Sequence, residues 1–314
     1  MSVGARTGTL LKTTTPARRL DVAASFEALT QACAVTAADV RRAELVSDSP
    51  NHLWSLPASR ALAIVHSGPD EARALIKGAH FLRQQHVAVT SPWSADVHVS
   101  ADGRAVTFWQ DPGKPSPDTS LSAWVTALVH RIDLRMVPWL TEHDPFGRLL
   151  DGLDDAPLND AARWFLRERA AQLREEWDDL DWPTPDAVIL GALRMVPCHD
   201  DGVHVGLLLR RPLQCGHREW DLVAARWRSE QLIGSREDHR TYADTYLSYE
   251  DQPLERPYIG AWSGYQVVRD LIVLTEVMET VRRAHLDAHS RRQAAHRVAC
   301  LRGAHRVPWN WGQR

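Results

Sequence analysis

Lysine is nearly missing from these 314 residues: Lys12, Lys77 and Lys114 are the only three, and arginine supplies the rest of the 37 basic side chains. Cysteine is sparse too. Cys33, Cys198, Cys215 and Cys300 are too few for a disulfide framework in a chain of this length. No apolar run approaches the roughly 20 residues needed to cross a bilayer. Residues 1–19 carry Arg6, Lys12, Arg18 and Arg19 without an apolar core segment, so a flexible arm is expected there and not a secretory signal. The formal net charge of -3 excludes a general nucleic-acid binder. Internal repeats and heptad runs are missing as well. These absences together predict a reduced cytoplasmic protein with no membrane or nucleic-acid partner.

What is abundant is tryptophan, with thirteen residues. Rings of that size belong in cores or interfaces, with a partner for each N–H. The pattern along the chain divides it in two. Residues 20–110 read as a small α+β lobe. One or two short helices are expected up to about Val46. Two strands around Pro57-Ala58-Ser59 follow, then a helix opened by Pro69-Asp70-Glu71 and a hairpin at Asp102-Gly103. Residues 111–117, rich in Pro and Gly, read as a hinge. Residues 118–314 read as a helical large lobe interrupted at 186–217 by strands around a turn at Asp200-Asp201-Gly202.

Several local matches then accumulate in order. Val129-His130 ends a helix before a loop. Trp139 to Phe146 contains Asp144-Pro145-Phe146, Arg218-Glu219-Trp220-Asp221-Leu222 opens a helix, Tyr242 to Tyr249 lies further on, and Pro308-Trp309-Asn310-Trp311 is near the end. In this order and spacing, the chain from about residue 40 onward resembles the aminoglycoside phosphotransferase and choline kinase-like family. The resemblance implies an α+β, protein-kinase-like bilobal fold with a β-rich small lobe and a helical large lobe.

The same resemblance implies a loss. Where the family has His-Gly-Asp followed five residues later by Asn, this chain has Leu190, Gly191, Ala192 and Pro197. Where it has a second metal-binding Asp, this chain has Leu209, or Arg210 in a register one residue later. The strand segment Ala61 to Ser67, which in the family carries a phosphate-binding cation, offers only His66. Losing one such aspartate costs on the order of 3–5 kcal/mol of transition-state stabilisation. The expectation is a degenerate member without ATP-dependent phosphorylation, with no cofactor and no metal.

Basic residues surround the altered positions. Arg194, Arg210 and Arg211 are expected either to line a cleft for an anionic small molecule or to pair with Asp200, Asp201 or Glu219. His199, near His204 and His217, is the candidate general base; its alternative is membership of a polar hairpin turn. Cys198, His199, Cys215 and His217 fit no common zinc spacing. Glu142 and Asp144 lie in a loop expected to border the substrate side, with turn initiation or capping of the next helix the alternative for Asp144. Tyr242, Tyr246 and Tyr249 either shape an acceptor pocket or pack a helix face. Asp221 is expected to be structural. Three functions stay open. The first is a repurposed protein of specialised metabolism (antibiotic biosynthesis) that binds an anion and carries out metal-free elimination or group transfer. The second is a pseudokinase-like subunit with a protein partner, and the third is an atypical small-molecule kinase.

Overall fold

Six consecutive residues, Ala61 to His66, are buried, and their side chains alternate between two layers. Ala61, Ala63 and Val65 pack with Ala28, Leu29 and Cys33, while Leu62 and Ile64 pack with Leu75, Ile76 and Leu82. This strand is the centre of the small lobe in the computed structural model. The structure describes residues 21–48, 51–111, 113–115, 119–191, 197–200, 204–231, 236–248, 259–305, 309 and 311. At 114, 115, 119, 197–200, 204–206, 229–231 and 236–239 only the backbone is described.

The small lobe runs α1 (Val22–Ala34), β1 (Glu44–Ser47), β2 (His52–Leu56), β3 (Ala61–His66), α2 (Pro69–Gln84), β4 (His98–Val99) and β5 (Ala105–Gln110). Its sheet is antiparallel in the order β1-β2-β3-β5-β4. Asp21 caps α1 by accepting from the Ala23 amide at 3.2 Å. In α2, Pro69 sits in the first turn with Asp70 and Glu71, and Arg83 sits in the last, as the helix dipole favours. Among the described residues one helix forms before β1, within the one or two expected. Asp39 accepts from the Arg41 amide at 2.8 Å, and Arg42 takes φ 61, which ends any helical run before Glu44.

The large lobe runs β6 (Lys114–Pro115), α3 (Thr119–His130), β7 (Thr141–Glu142), α4 (Asp160–Asp178), β8 (Asp186–Ile189), β9 (Pro197–Asp200), β10 (His204–Leu207), β11 (Gln214–His217), α5 (Glu219–Gln231), α6 (Arg236–Ser248), α7 (Tyr265–Arg283) and α8 (Ala288–Leu301). Two three-stranded sheets lie between the helices, β10-β9-β6 and β7-β11-β8. β9 and β10 form the expected hairpin; its turn, 201–203, lies outside the described residues. β6 pairs with β9, so part of the 111–117 segment is hydrogen-bonded to that hairpin.

Tryptophan builds the large-lobe core. Trp220, Trp227 and Trp262 are buried among α4, α5, α7 and α8, with Trp177, Trp182, Trp309 and Trp311 packed around them. Ten residues of α7 are buried, which makes it the central helix of this lobe. No described helix is long and apolar enough to cross a membrane. Cys33, Cys215 and Cys300 are free.

Candidate functional site

Between the lobes, the chain after β8 turns sharply at Gly191, whose φ is +57. A Cβ there would lie 3.0 Å from Gln214 Oε1, so both conformation and space favour glycine. One side chain anchors this turn. Asp221, in the first turn of α5, accepts from the Leu190 amide at 2.8 Å and from the Gly191 amide at 3.1 Å. His130, at the end of α3, donates Nε2–H to the same carboxylate at 3.2 Å. Its Nδ1 then accepts from the Tyr246 hydroxyl at 2.8 Å. Tyr242 stacks on Tyr246 with ring centroids 6.5 Å apart, and burial pushes its hydroxyl pKa up. The result is a buried chain of polar groups running from the loop backbone through Asp221 and His130 to Tyr246 on α6.

The walls of the cleft are apolar. Leu190 and Leu209 are 1% and 3% exposed, and they share one cluster with Leu207, Leu208 and Leu213 of the large lobe and Leu62, Ile64 and Leu75 of the small lobe. Backbone bonds reinforce the junction: Thr90 N to Leu207 O at 3.0 Å and Leu207 N to Ala88 O at 2.9 Å. Magnesium takes oxygen ligands in near-octahedral geometry. Leu209, at the position of the family's second metal-binding Asp, offers none and lies in this apolar cluster; the side chains at the other matching positions, Ala192 and Pro197, lie outside the description. Leu209 therefore does not fit the role of a magnesium ligand.

A second, largely buried network joins the two lobes. Arg210, 6% exposed, reaches across from the large lobe and donates to the Asn51 carbonyl at 2.7 Å. The Asn51 side chain donates to Glu71 at 2.9 Å and contacts His66 Nδ1 at 3.4 Å. With Nδ1 accepting, His66 Nε2–H donates to Thr107 Oγ1 at 3.1 Å, and that oxygen also accepts from Trp109 Nε1 at 2.8 Å. Burial holds the His66 ring neutral, with its pKa pushed down to about 4; Glu71 opposes this and Arg210 adds to it. On the other side of the β1–β2 turn, Asp48 pairs with Arg283 at the end of α7. The turn before β2 is therefore strapped to the large lobe at both of its described ends.

The remaining expected site residues fall in different places. Arg211 pairs with Glu279 and not with Glu219, which instead accepts from Thr184 Oγ1 at 2.7 Å. Tyr242 and Tyr246 are buried with Ala123, Ala127 and Leu222. Asp144 initiates a turn, accepting from the Phe146 and Gly147 amides, both at 2.9 Å. Glu142 lies on β7 and is exposed. His217 stacks on Trp182 at 3.9 Å and lies 3.3 Å from Asp186. Pro197 and His199 lie on β9, with side chains outside the description, and Arg194, Ala192 and Tyr249 lie outside the described residues. The sequence reading missed Asn51, Glu71 and Thr107. Each is an ordinary polar residue at the end of an element or inside it, and nothing local marks Asn51 and Thr107 as buried or Glu71 as the partner of Asn51.

No protein-family profile matches the chain, and no curated protein does either. Solved structures do. The fold is similar to that of an amicoumacin kinase solved with AMP-PNP, Ca2+ and Ami, with a TM-score of 0.62 at 10% identity over 91% of this chain and 95% of that one. It is similar to a microcompartment-associated aminopropanol kinase, TM-score 0.61 at 17% identity over 89% and 94%. It is also similar to the aminoglycoside phosphotransferase APH(3'')-Id from Streptomyces rimosus, TM-score 0.53 at 17% identity over 80% and 99%. The architecture is that of the kinase-like phosphotransferases, bilobal as expected.

Proposed function

We propose that this chain is a phosphotransferase-fold protein that does not transfer phosphoryl groups and acts through binding, as a pseudokinase-like subunit held in a closed form. The observation that carries this reading is Arg210, whose buried guanidinium spans the lobes and hydrogen-bonds the Asn51 carbonyl at 2.7 Å. In the fold's active members, phosphates and metal lie between the loop covering the nucleotide and the metal-binding segment. Here Arg210, next to the position of the family's metal-binding Asp, is hydrogen-bonded to Asn51 at the start of β2. Leu190 and Leu209 continue the closure as a single apolar core.

Phosphoryl transfer relies on positioning and electrostatic stabilisation by acids, cations and metal. A leucine-filled junction supplies neither. What the fold retains is the machinery that fixes the loop: Asp221, His130 and Gly191. A fold that keeps its loop anchor while its reacting positions are apolar suits a rigid binding surface. The small lobe offers an edge for a protein partner. β1 ends the sheet, and Leu45 and Val46 on it are 36% and 58% exposed.

A second reading, an anion site in specialised metabolism, is favoured by Arg211. Its side chain is 34% exposed, and the neighbouring Arg282 guanidinium has its pKa lowered chiefly by burial, opposed by Glu279 and Asp151, with Arg148 and Arg211 adding to the lowering. The two readings separate in one set of experiments. Incubation with Mg-ATP and small amine or sugar acceptors should yield no ADP above a blank, and turnover would refute the proposal. Arg211→Ala should leave association with a co-purifying polypeptide intact; loss of binding to phosphate or sulfate in that variant would instead favour the anion site.

A further inference from the structure

We propose that His296, Cys300 and His305 form a zinc site at the C-terminal end of α8, remote from the interlobe cleft. Their three donor atoms lie within 4.8 Å of one another. The Cys300 Sγ and His296 Nε2 atoms are 3.6 Å apart. With Zn–S near 2.3 Å and Zn–N near 2.0–2.1 Å, tetrahedral geometry requires an S···N separation of about 3.6 Å and an N···N separation of about 3.4 Å. The Cys300–His296 pair already meets the first requirement. The His296 and His305 rings, with centroids 4.8 Å apart, meet the second after a small rotation of the exposed His305 side chain.

The backbone explains why three residues from two segments converge. His296 and Cys300 are four apart on α8, so they share one face. Gly303 then takes φ +80 and donates its amide to Cys300 O at 2.9 Å, while Ala304 donates to Ala299 O at 3.0 Å. This paired pattern reverses the chain at the helix end. The reversal carries His305 back over the last turn of α8. Trp309 Nε1 donates to the His305 carbonyl at 3.1 Å and steadies that position.

The donor set is selective. Two imidazoles and a thiolate suit zinc and disfavour magnesium or calcium, which take oxygen. Cys300 is 1% exposed and both histidines are exposed, so the sulfur sits against the core while the metal and its fourth ligand, water, meet solvent. On binding, the Cys300 S–H bond breaks, its proton passes to solvent and an S–Zn bond forms; no redox change is involved. The neighbouring guanidiniums are occupied: Arg297 over the Trp311 ring at 4.9 Å and Arg302 over Phe165 at 5.7 Å. The site differs from the four residues Cys198, His199, Cys215 and His217 weighed from sequence, and the sequence reading expected no metal at all.

The test uses the full chain without an affinity tag, stripped by a chelator and titrated with Co2+ and then Zn2+. The expected result is one equivalent of Co2+ with a thiolate-to-cobalt charge-transfer band, bleached by one equivalent of Zn2+. His296→Ala and His305→Ala, at exposed positions, should weaken binding more than about tenfold with the near-ultraviolet circular dichroism unchanged. Cys300→Ala should remove the charge-transfer band; because that position is buried, the two histidine variants keep the proposal falsifiable should it fail to fold. A titration without the band, or affinity unchanged in both histidine variants, overturns the proposal.

Discussion

Asp221 receives hydrogen bonds from two loop amides and one imidazole, all buried. Asn in its place would turn one carboxylate oxygen into a donor facing another donor. Asp221→Asn should therefore cost about 2–4 kcal/mol, read as a fall in urea midpoint at unchanged slope. His66 gives a pH signature. Its native pKa is lowered to about 4 from the ordinary 6.5, so between these values the unfolded chain binds a proton that the native ring refuses. Stability contributed by the neutral ring is complete above about pH 6.5 and is lost as the pH falls toward 4. Denaturation at pH 4.5 and pH 7.5 should show a loss about 2–3 kcal/mol larger in the native sequence than in His66→Gln. Burial also lowers His52 and His143, so the variant retains part of the slope.

At the scale of elements, Leu190, just after β8, and the segment after β10 have become parts of the core. Leu209 shows this best. Leu209→Asp would restore the acid at the position where the family carries one, but it would bury an unpaired carboxylate among Leu207, Leu208 and Leu213. The expected outcome is destabilisation of about 3–5 kcal/mol without any ATP turnover, checked by chemical denaturation and an ADP-release assay. The elements themselves were legible in the chain. Pro69-Asp70-Glu71 marks the start of α2, Asp102-Gly103 marks the β4–β5 turn, and the Ala187 to Leu190 run marks β8. These signals are local: a turn residue, a dipole-matched acid, a period. Leu190 was legible as a replaced histidine, and Ala192 and Leu209 as missing acids, only through their register with Gly191 and Asp221. What they pack against was not legible, because the partners Leu62, Ile64 and Leu75 lie more than a hundred residues away. The same distance hid Arg210. Its sequence neighbourhood suggests an open basic cleft, while its acceptor is the carbonyl of Asn51, which no side-chain pattern announces.

The whole molecule is two lobes fastened at several points: the shared leucine core, the backbone bonds of Leu207, Arg210 on Asn51, and Arg283 on Asp48. Removing a strap should loosen the lobes without unfolding either. In Arg210→Ala, amides of β2 and of the turn before it should exchange hydrogen faster, while those of α7 keep their protection. The closure itself is tested most directly by calorimetric titration of the unmodified chain with Mg-AMP-PNP. The account predicts no binding heat and no shift in melting temperature at millimolar nucleotide. A saturable, magnesium-dependent isotherm with one site per chain would contradict it.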